Sequence, residues 1–173
     1  GGIWIGTYFG GVNYYNPTDD HTSYYEANPD MPHALSFPVV GKMQEDAEHN
    51  LWICTEGGGL NFLDRQTRQF TRYVHKGGLS GIGHNNLKCI WLRKETGQLY
   101  IGTHTGGLTI FDTRKKTAHT LKNSPDKANS LPSNVINDLQ PYKGKLVLST
   151  QAGIVAKRRL SSRYPPCPTS GVL

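Results

Sequence analysis

Four pairs of residues, each inside a similar stretch of the chain, carry side chains that could bind a polar ligand. They are Tyr8-Phe9, Glu56-Gly57, His104-Thr105 and Gln151-Ala152. Aromatic rings, a carboxylate, an imidazole and an amide together suit a sugar, which needs stacking surfaces and directional hydrogen bonds. The simpler alternative is that these pairs differ because they lie in solvated turns, where residues vary freely.

These pairs lie within an internal repeat, which decides the fold. The copies are IWIGTYFGGV (3–12), LWICTEGGGL (51–60), LYIGTHTGGL (99–108) and a shorter LVLSTQAGI (146–154). Trp4, Trp52 and Tyr100 are 48 residues apart, and Val147 follows Tyr100 after 47. Regular self-similarity at this period is the signature of a repeat architecture.

Each repeat is expected to form four β-strands. In the third unit we place them at 87–92, 99–103, 108–111 and 119–121, and the glycines at 106–107 mark a tight turn. A four-stranded unit of this length is typical of a propeller blade. The sequence therefore predicts an all-β fold, a partial β-propeller of about three and a half blades whose first blade lacks its first strand. Trp4, Trp52 and Tyr100 should pack between neighbouring blades.

Charge is concentrated at the end of the chain. The net charge is +6, but Lys157, Arg158, Arg159 and Arg163 account for four of the cations, which leaves 15 Lys and Arg against 13 Asp and Glu. A broad nucleic-acid surface is therefore not expected. We divide the chain into propeller blades over 1–156, a fragment of a larger propeller, and a non-repeat tail over 157–173 that is disordered or foreign.

A second aromatic cluster follows the first repeat. Tyr14, Tyr15, Tyr24 and Tyr25 surround an Asp-Asp-His sequence at 19–21, and we place them in a long link between the first two blades. Such a link is either a binding loop on the same face as the variable turns or a loop packed over the blade edges. Tyr24 and Tyr25 are the candidate ligand contacts from this segment.

Other kinds of site find little support. The acidic run 45–49 aligns with 93–97 in the next repeat, so it is the turn between first and second strands rather than a metal site. Cys54 and Cys89 fall in strands and are expected to be small buried hydrophobic residues. No nucleophile elbow or phosphate loop is present, so we assign no catalytic residue, no metal and no cofactor. The longest apolar runs, such as 146–148, are too short to span a bilayer.

The motif resembles the two-component regulator propeller repeat. The segments 51–64 and 99–112 carry it most fully, and 129–136 is similar to the family's link into each new first strand, with a weaker copy at 84–87. The resemblance covers residues 1 to about 156. Cys54, where the first and third copies have Gly6 and Gly102, departs from the pattern, as does Val147 in place of the aromatic residue.

The resemblance implies a ligand-sensing module of a hybrid two-component sensor. Such repeats are typical of the periplasmic region of inner-membrane receptors whose ligands are often oligosaccharides. The expected partners are an oligosaccharide, the rest of the receptor chain and a second receptor copy, with no direct nucleic-acid contact and membrane contact only through other parts of the receptor.

Two other functions stay open at this point. A polysaccharide lyase or hydrolase would use Glu56 and His104 as its acid/base pair. A protein-docking scaffold would need none of the variable turn residues. The expected ligand contacts are otherwise Tyr8, Phe9, Glu56, His104 and Gln151, with Tyr24 and Tyr25.

Overall fold

The computed structural model describes residues 2–77, 81–127 and 129–157, which form fourteen strands in four antiparallel sheets. In chain order the strands are β1 (Ile3–Gly6), β2 (Val12–Asn16), β3 (His21–Tyr25), β4 (Val40–Glu45), β5 (Leu51–Thr55), β6 (Leu60–Asp64), β7 (Gln69–Tyr73), β8 (Leu87–Arg93), β9 (Gln98–Thr103), β10 (Leu108–Asp112), β11 (Thr117–Leu121), β12 (Ile136–Tyr142), β13 (Lys145–Thr150) and β14 (Gly153–Lys157). None of the described residues forms a helix long and apolar enough to cross a membrane.

Each sheet is one blade of a partial propeller. Blade 2 (β4–β7) and blade 3 (β8–β11) have four strands in sequential order, and the first strands of neighbouring blades adjoin. Blade 1 (β1–β3) lacks its first strand, as predicted, and blade 4 (β12–β14) contains the first three strands. The predicted tail begins at Lys157, which is the last residue of β14, and residues 158–173 of the tail lie outside the described residues.

Second-strand side chains pack alternately against the two neighbouring blades, and this holds the blades together. In β5, Leu51 and Ile53 pack with Val12 of blade 1, whereas Trp52 and Cys54 pack with blade 3 residues such as Ile101. Successive side chains of a strand point to opposite faces, so one strand serves two blade interfaces. The predicted role of the second-strand aromatic residue is confirmed, and Trp52 is 1% exposed.

The same alternation leaves one apolar face of blade 1 uncovered. Ile3 and Ile5 of β1 occupy the positions of Leu51 and Ile53, and they are 53% and 48% exposed. The equivalent pair in blade 2 is buried because blade 1 covers it. The exposed pair therefore marks the side on which a preceding blade would pack.

The two cysteines of the described residues are buried, as predicted. Cys54 and Cys89 are fully buried free thiols, and the Cys54 Sγ lies 3.9 Å from the Cys89 carbonyl oxygen. Burial raises the pKa of Cys54 well above its usual value and that of Cys89 to about 12. Both thiols therefore stay protonated at neutral pH, which fits a packing role.

The predicted aromatic link after the first repeat is wrong. Tyr14 and Tyr15 lie in β2, and Tyr24 and Tyr25 lie in β3, so these residues form a hairpin that completes blade 1. The true link is 26–39. It is fixed from blade 2 by Arg72, whose guanidinium donates hydrogen bonds to five carbonyl oxygens, those of Asn28, Pro29, Met31, Ala34 and Leu35.

Candidate functional site

The turns between second and third strands share one construction in all four blades. A threonine hydroxyl at the end of the second strand donates a hydrogen bond to the carbonyl oxygen of a glycine across the turn. The pairs are Thr7–Gly11 (3.0 Å), Thr55–Gly59 (2.8 Å), Thr103–Gly107 (2.9 Å) and Thr150–Gly153 (2.8 Å). The turn in blade 4 is one residue shorter, as the sequence predicts. This frame leaves the residues between threonine and glycine free to differ.

Backbone hydrogen bonds tie each turn to the first strand of its own blade. The amides of Glu56, His104 and Gln151 donate to the carbonyl oxygen of the residue that directly precedes that strand. The acceptors are Val39 (3.0 Å), Asn86 (3.0 Å) and Val135 (3.2 Å). The three candidate residues therefore occupy the same structural position in successive blades.

A second set of backbone bonds ties each turn to the following blade. The amides of Gly11, Gly59 and Gly107 donate to carbonyl oxygens two residues before the next first strand. The acceptors are Pro38 (3.2 Å), Asn85 (2.9 Å) and Asn134 (2.9 Å). The four turns and the links between blades consequently lie at one end of the sheets, which we call the turn face.

Tyr8 and Phe9 form an exposed aromatic pair on the turn face. Their ring centroids are 4.7 Å apart in an edge-on arrangement, and the side chains are 72% and 70% exposed. The backbone of Tyr8 pairs with Val39 of blade 2, which fixes the base of the turn. Exposed rings on a fixed backbone offer a stacking surface for the apolar side of a sugar ring.

Glu56 lies in a polar cluster that the sequence did not predict. Its Oε1 is 3.3 Å from the Lys88 Nζ, and its backbone pairs with Asn86 of blade 3. Lys88 lies at a register shift between Leu87 and Cys89, a β-bulge of the kind that re-aims a side chain. The Asn86 Oδ1 is buried and has no hydrogen-bond partner among the described residues. An acceptor of this kind suits a hydroxyl donor from a ligand or water.

The other candidate residues divide between the surface and the packed interior. His104 and Gln151 are exposed on the turn face in blades 3 and 4. Tyr24, at the end of β3, is also exposed, at 72%. Tyr25 is half-buried, and its ring lies 6.0 Å from Trp4 and 5.8 Å from Phe70, so it contributes to the interface between blades 1 and 2.

The acidic run 45–49 forms the turn between β4 and β5, as predicted. The Asp46 Oδ1 accepts hydrogen bonds from the amides of Glu48 (3.1 Å) and Asn50 (2.8 Å), which shape the turn. Within the described residues, no group of three or more His, Cys, Asp or Glu side chains is arranged to hold a metal ion.

Comparison with known proteins gives matches among solved structures. No family model matches the chain, and no curated protein matches it in sequence. The extracellular domain of the hybrid two-component system BT4673 of B. thetaiotaomicron superposes with a TM-score of 0.71 at 24% identity, covering 92% of this chain and 20% of that one. The corresponding domain of BT3049, from the same organism, gives 0.62 at 25% identity, covering 90% and 25%.

A third solved structure shares the fold at lower identity. PorZ, a surface component of the type-IX secretion system of Porphyromonas gingivalis, superposes with a TM-score of 0.63 at 13% identity, covering 90% of this chain and 24% of PorZ. The chain thus spans a quarter or less of the length of these three proteins. The family resemblance predicted from the repeats is confirmed at this level: the chain is similar to the extracellular domains of hybrid two-component systems.

Proposed function

We propose that the chain is a ligand-sensing module of a hybrid two-component system and that it binds an oligosaccharide on its turn face. The observation that carries the proposal is the exposed Tyr8–Phe9 pair, held on a propeller that is similar to the extracellular domains of such systems. The aromatic pair supplies the stacking surface, and Glu56, His104 and Gln151 supply hydrogen bonds from the following blades. Tyr24 extends the surface at the edge of blade 1.

The module acts by binding rather than by chemistry, on the periplasmic side of the inner membrane. A ligand that binds one arrangement of the receptor more tightly than another shifts the population toward it. The remaining receptor chain and a second receptor copy are the partners that this mode of action requires.

Calorimetric titration of the receptor's extracellular region with defined oligosaccharides tests the proposal. The probes are xylo-, arabino- and cello-oligosaccharides and chondroitin disaccharides. We expect saturable binding of one class, weakened about tenfold or more by the double change Tyr8→Ala and Phe9→Ala, because the change removes both rings and the apolar area that a bound sugar would bury on them. Tyr142→Ala is the matched control, since Tyr142 is 58% exposed at the opposite end of blade 4.

Two outcomes would overturn the proposal. Unchanged affinity after truncation of Tyr8, Phe9, Glu56 and His104 would favour a docking scaffold. Cleavage of the probe that is lost in Glu56→Gln would identify an enzyme in which Glu56 supplies acid/base chemistry.

A further inference from the structure

A cleft lies between blades 2 and 3 on the face opposite the turn face. It is formed by the turns that join first to second strands and third to fourth strands, and its volume is about 240 Å³. The charged side chains that line it are Asp46, Glu48, Lys94, Arg114 and Lys116. Concave sites with a few convergent polar groups are where small ligands bind.

The neighbouring interface shows how this space is filled elsewhere. Between blades 1 and 2, the Arg65 guanidinium lies 5.5 Å from the Trp4 ring centroid and 5.3 Å from that of Tyr14. Its Nη1 is 3.8 Å from the Glu45 carboxylate and 3.3 Å from the His49 carbonyl oxygen. Aromatic rings, a carboxylate and a carbonyl therefore hold this arginine in place.

The repeat places smaller residues at the interface between blades 2 and 3. Thr113 follows Arg65 by one repeat period of 48 residues, and Gly97 follows His49 by the same period. Thr113 and Gly97 are therefore the blade 3 equivalents of Arg65 and His49. A Cβ atom on Gly97 would lie 2.9 Å from the Thr113 Oγ1 and 3.2 Å from the Arg114 Nε. The cleft is open because Thr113 is much shorter than Arg65 and because residue 97 has no side chain.

Lys116 supplies the cation of this interface. Its Nζ lies 4.9 Å from the Trp52 ring centroid and 5.0 Å from that of Phe62. None of the ion pairs formed by the described residues includes Lys116. Burial lowers the pKa of Lys116 from its usual value, although Asp46 and Asp112 act in the opposite direction.

The Asp46 carboxylate already accepts hydrogen bonds from other groups of the protein. Its Oδ1 accepts two backbone hydrogen bonds, and its Oδ2 accepts one from the Trp52 Nε1 at 3.3 Å. Glu48 is the second carboxylate of the cleft and is exposed. The lining of the cleft thus holds three cations and two carboxylates, and Asp46 already has its hydrogen-bond donors; Asp112 acts on Lys116 from outside the lining.

We propose that this cleft binds the oxyanion group of a small ligand, a carboxylate or a sulfate, through Lys116, Arg114 and Lys94. Charged donors form short, strong hydrogen bonds with such groups. The bound oxygens accept from the Lys116 ammonium at the aromatic floor, and Arg114 and Lys94 close the cleft from the blade 3 turns. The site is separate from the turn face, so it stands whatever ligand the turn face binds.

Titration of the full 173-residue chain with D-glucuronate and with inorganic sulfate, at fixed chloride concentration, tests this proposal. Trp fluorescence and the amide chemical shifts of Gly97 and Thr113 report binding, and D-glucose is the neutral control. We expect saturable binding of at least one of the two anions and none of glucose. Binding of glucuronate identifies the oxyanion as a carboxylate, and binding of sulfate identifies it as a sulfate.

Three variants distinguish specific binding in the cleft from general attraction of the anion to positive surface charge. Lys116→Gln should weaken binding by about tenfold, because it removes the charged donor at the aromatic floor of the cleft. Thr113→Arg introduces the residue that blade 2 has at the equivalent position, Arg65. It should abolish binding, because the longer side chain fills the cleft even though it adds positive charge. Lys122→Gln, an exposed lysine at the end of blade 3 near the turn face, should change affinity by less than about twofold.

The opposite results would overturn the proposal. Neither anion binding saturably would exclude the site. Binding by Thr113→Arg that equals or exceeds that of the original chain would show attraction to surface charge alone. Each variant is first checked by circular dichroism and thermal unfolding, so a lost signal is read only from a folded protein.

Discussion

Lys42 and Asp138 form an ion pair that joins blade 2 to blade 4 and passes over blade 3. The two residues occupy the same position in their first strands, directly before Met43 and Leu139, and Cys89 holds that position in the strand between them. The first strands therefore converge closely enough for a lysine to reach across an entire blade. Contacts between next-nearest blades are uncommon in repeat proteins, where each unit contacts mainly its neighbours.

This ion pair should add a small, pH-dependent contribution to stability. Burial would raise the pKa of Asp138, but hydrogen bonds from Lys42 and the Leu139 amide outweigh that effect and lower it. A lowered folded-state pKa means that the contribution is present above about pH 4 and is lost as the pH falls through the folded pKa. In a double-mutant cycle of Lys42→Met and Asp138→Asn, we expect a coupling of about 0.2–1 kcal/mol at pH 7, because both side chains are partly exposed. Urea unfolding at pH 7 and pH 3 measures it. A coupling that is equal at both pH values would contradict this assignment.

Removing one turn hydroxyl should weaken the blade that contains it. Thr55→Val keeps the shape of the side chain but removes the 2.8 Å hydrogen bond to the Gly59 carbonyl. We expect a loss of about 1 kcal/mol in the free energy of unfolding. Thr71→Val, at an exposed position on β7, is the control and should change stability by less than about 0.5 kcal/mol. Equal effects of the two changes would show that the turn bond does not contribute.

A methyl group at residue 102 should be poorly tolerated. The Cβ of Gly102→Ala would contact the Cys89 Sγ and lie 2.7 Å from the Ile136 Cγ2, and both residues are buried. We expect a destabilisation of about 1–3 kcal/mol from overpacking. Gly81→Ala, where no atom lies within 4 Å of the added Cβ, should be nearly neutral. Thermal unfolding measures the midpoint temperature of each variant. Similar midpoints for Gly102→Ala and Gly81→Ala would contradict the close packing around Gly102.

Arg72 should control how often the link 26–39 opens. Arg72→Lys keeps the charge but cannot donate to five carbonyl oxygens at once. We expect amide exchange at Asn28, which bonds the Leu35 carbonyl at 3.0 Å, to accelerate by about tenfold or more. Hydrogen exchange followed by NMR measures this rate. Arg68→Lys, in the turn before β7, should leave it unchanged, and unaltered exchange in Arg72→Lys would show that other contacts hold the link.

The repeat predicted most of the fold because strand positions follow its period. The strands predicted in the third unit, at 87–92, 99–103, 108–111 and 119–121, correspond to β8, β9, β10 and β11 and differ from them only at their ends. The same period also places Tyr14 with Phe62 and Tyr25 with Tyr73, both in strands of blade 2. The misplaced aromatic link was therefore detectable in the sequence, but the blade's missing first strand and the proline at 17 obscured it.

The candidate site could be predicted only in part. The turn positions follow from the repeat, so Tyr8, Glu56, His104 and Gln151 lie on one face. Lys88 joins Glu56 through a β-bulge, which shifts register without any distinctive residue type. The ion pair between Lys42 and Asp138 likewise depends on how closely the first strands of three blades converge. That convergence is a property of blade packing and cannot be predicted from the sequence of one repeat.

The backbone bonds between each turn glycine and the following blade have a mechanical consequence. A displacement of one turn pulls directly on the segment that leads into the next first strand, and the same joint recurs at each of the three blade boundaries. Main-chain atoms form these joints, so evolution can exchange the side chains at positions such as 8, 56 and 104 without loosening them. The turn face can thus acquire a new ligand preference while the transmission of strain around the propeller stays the same.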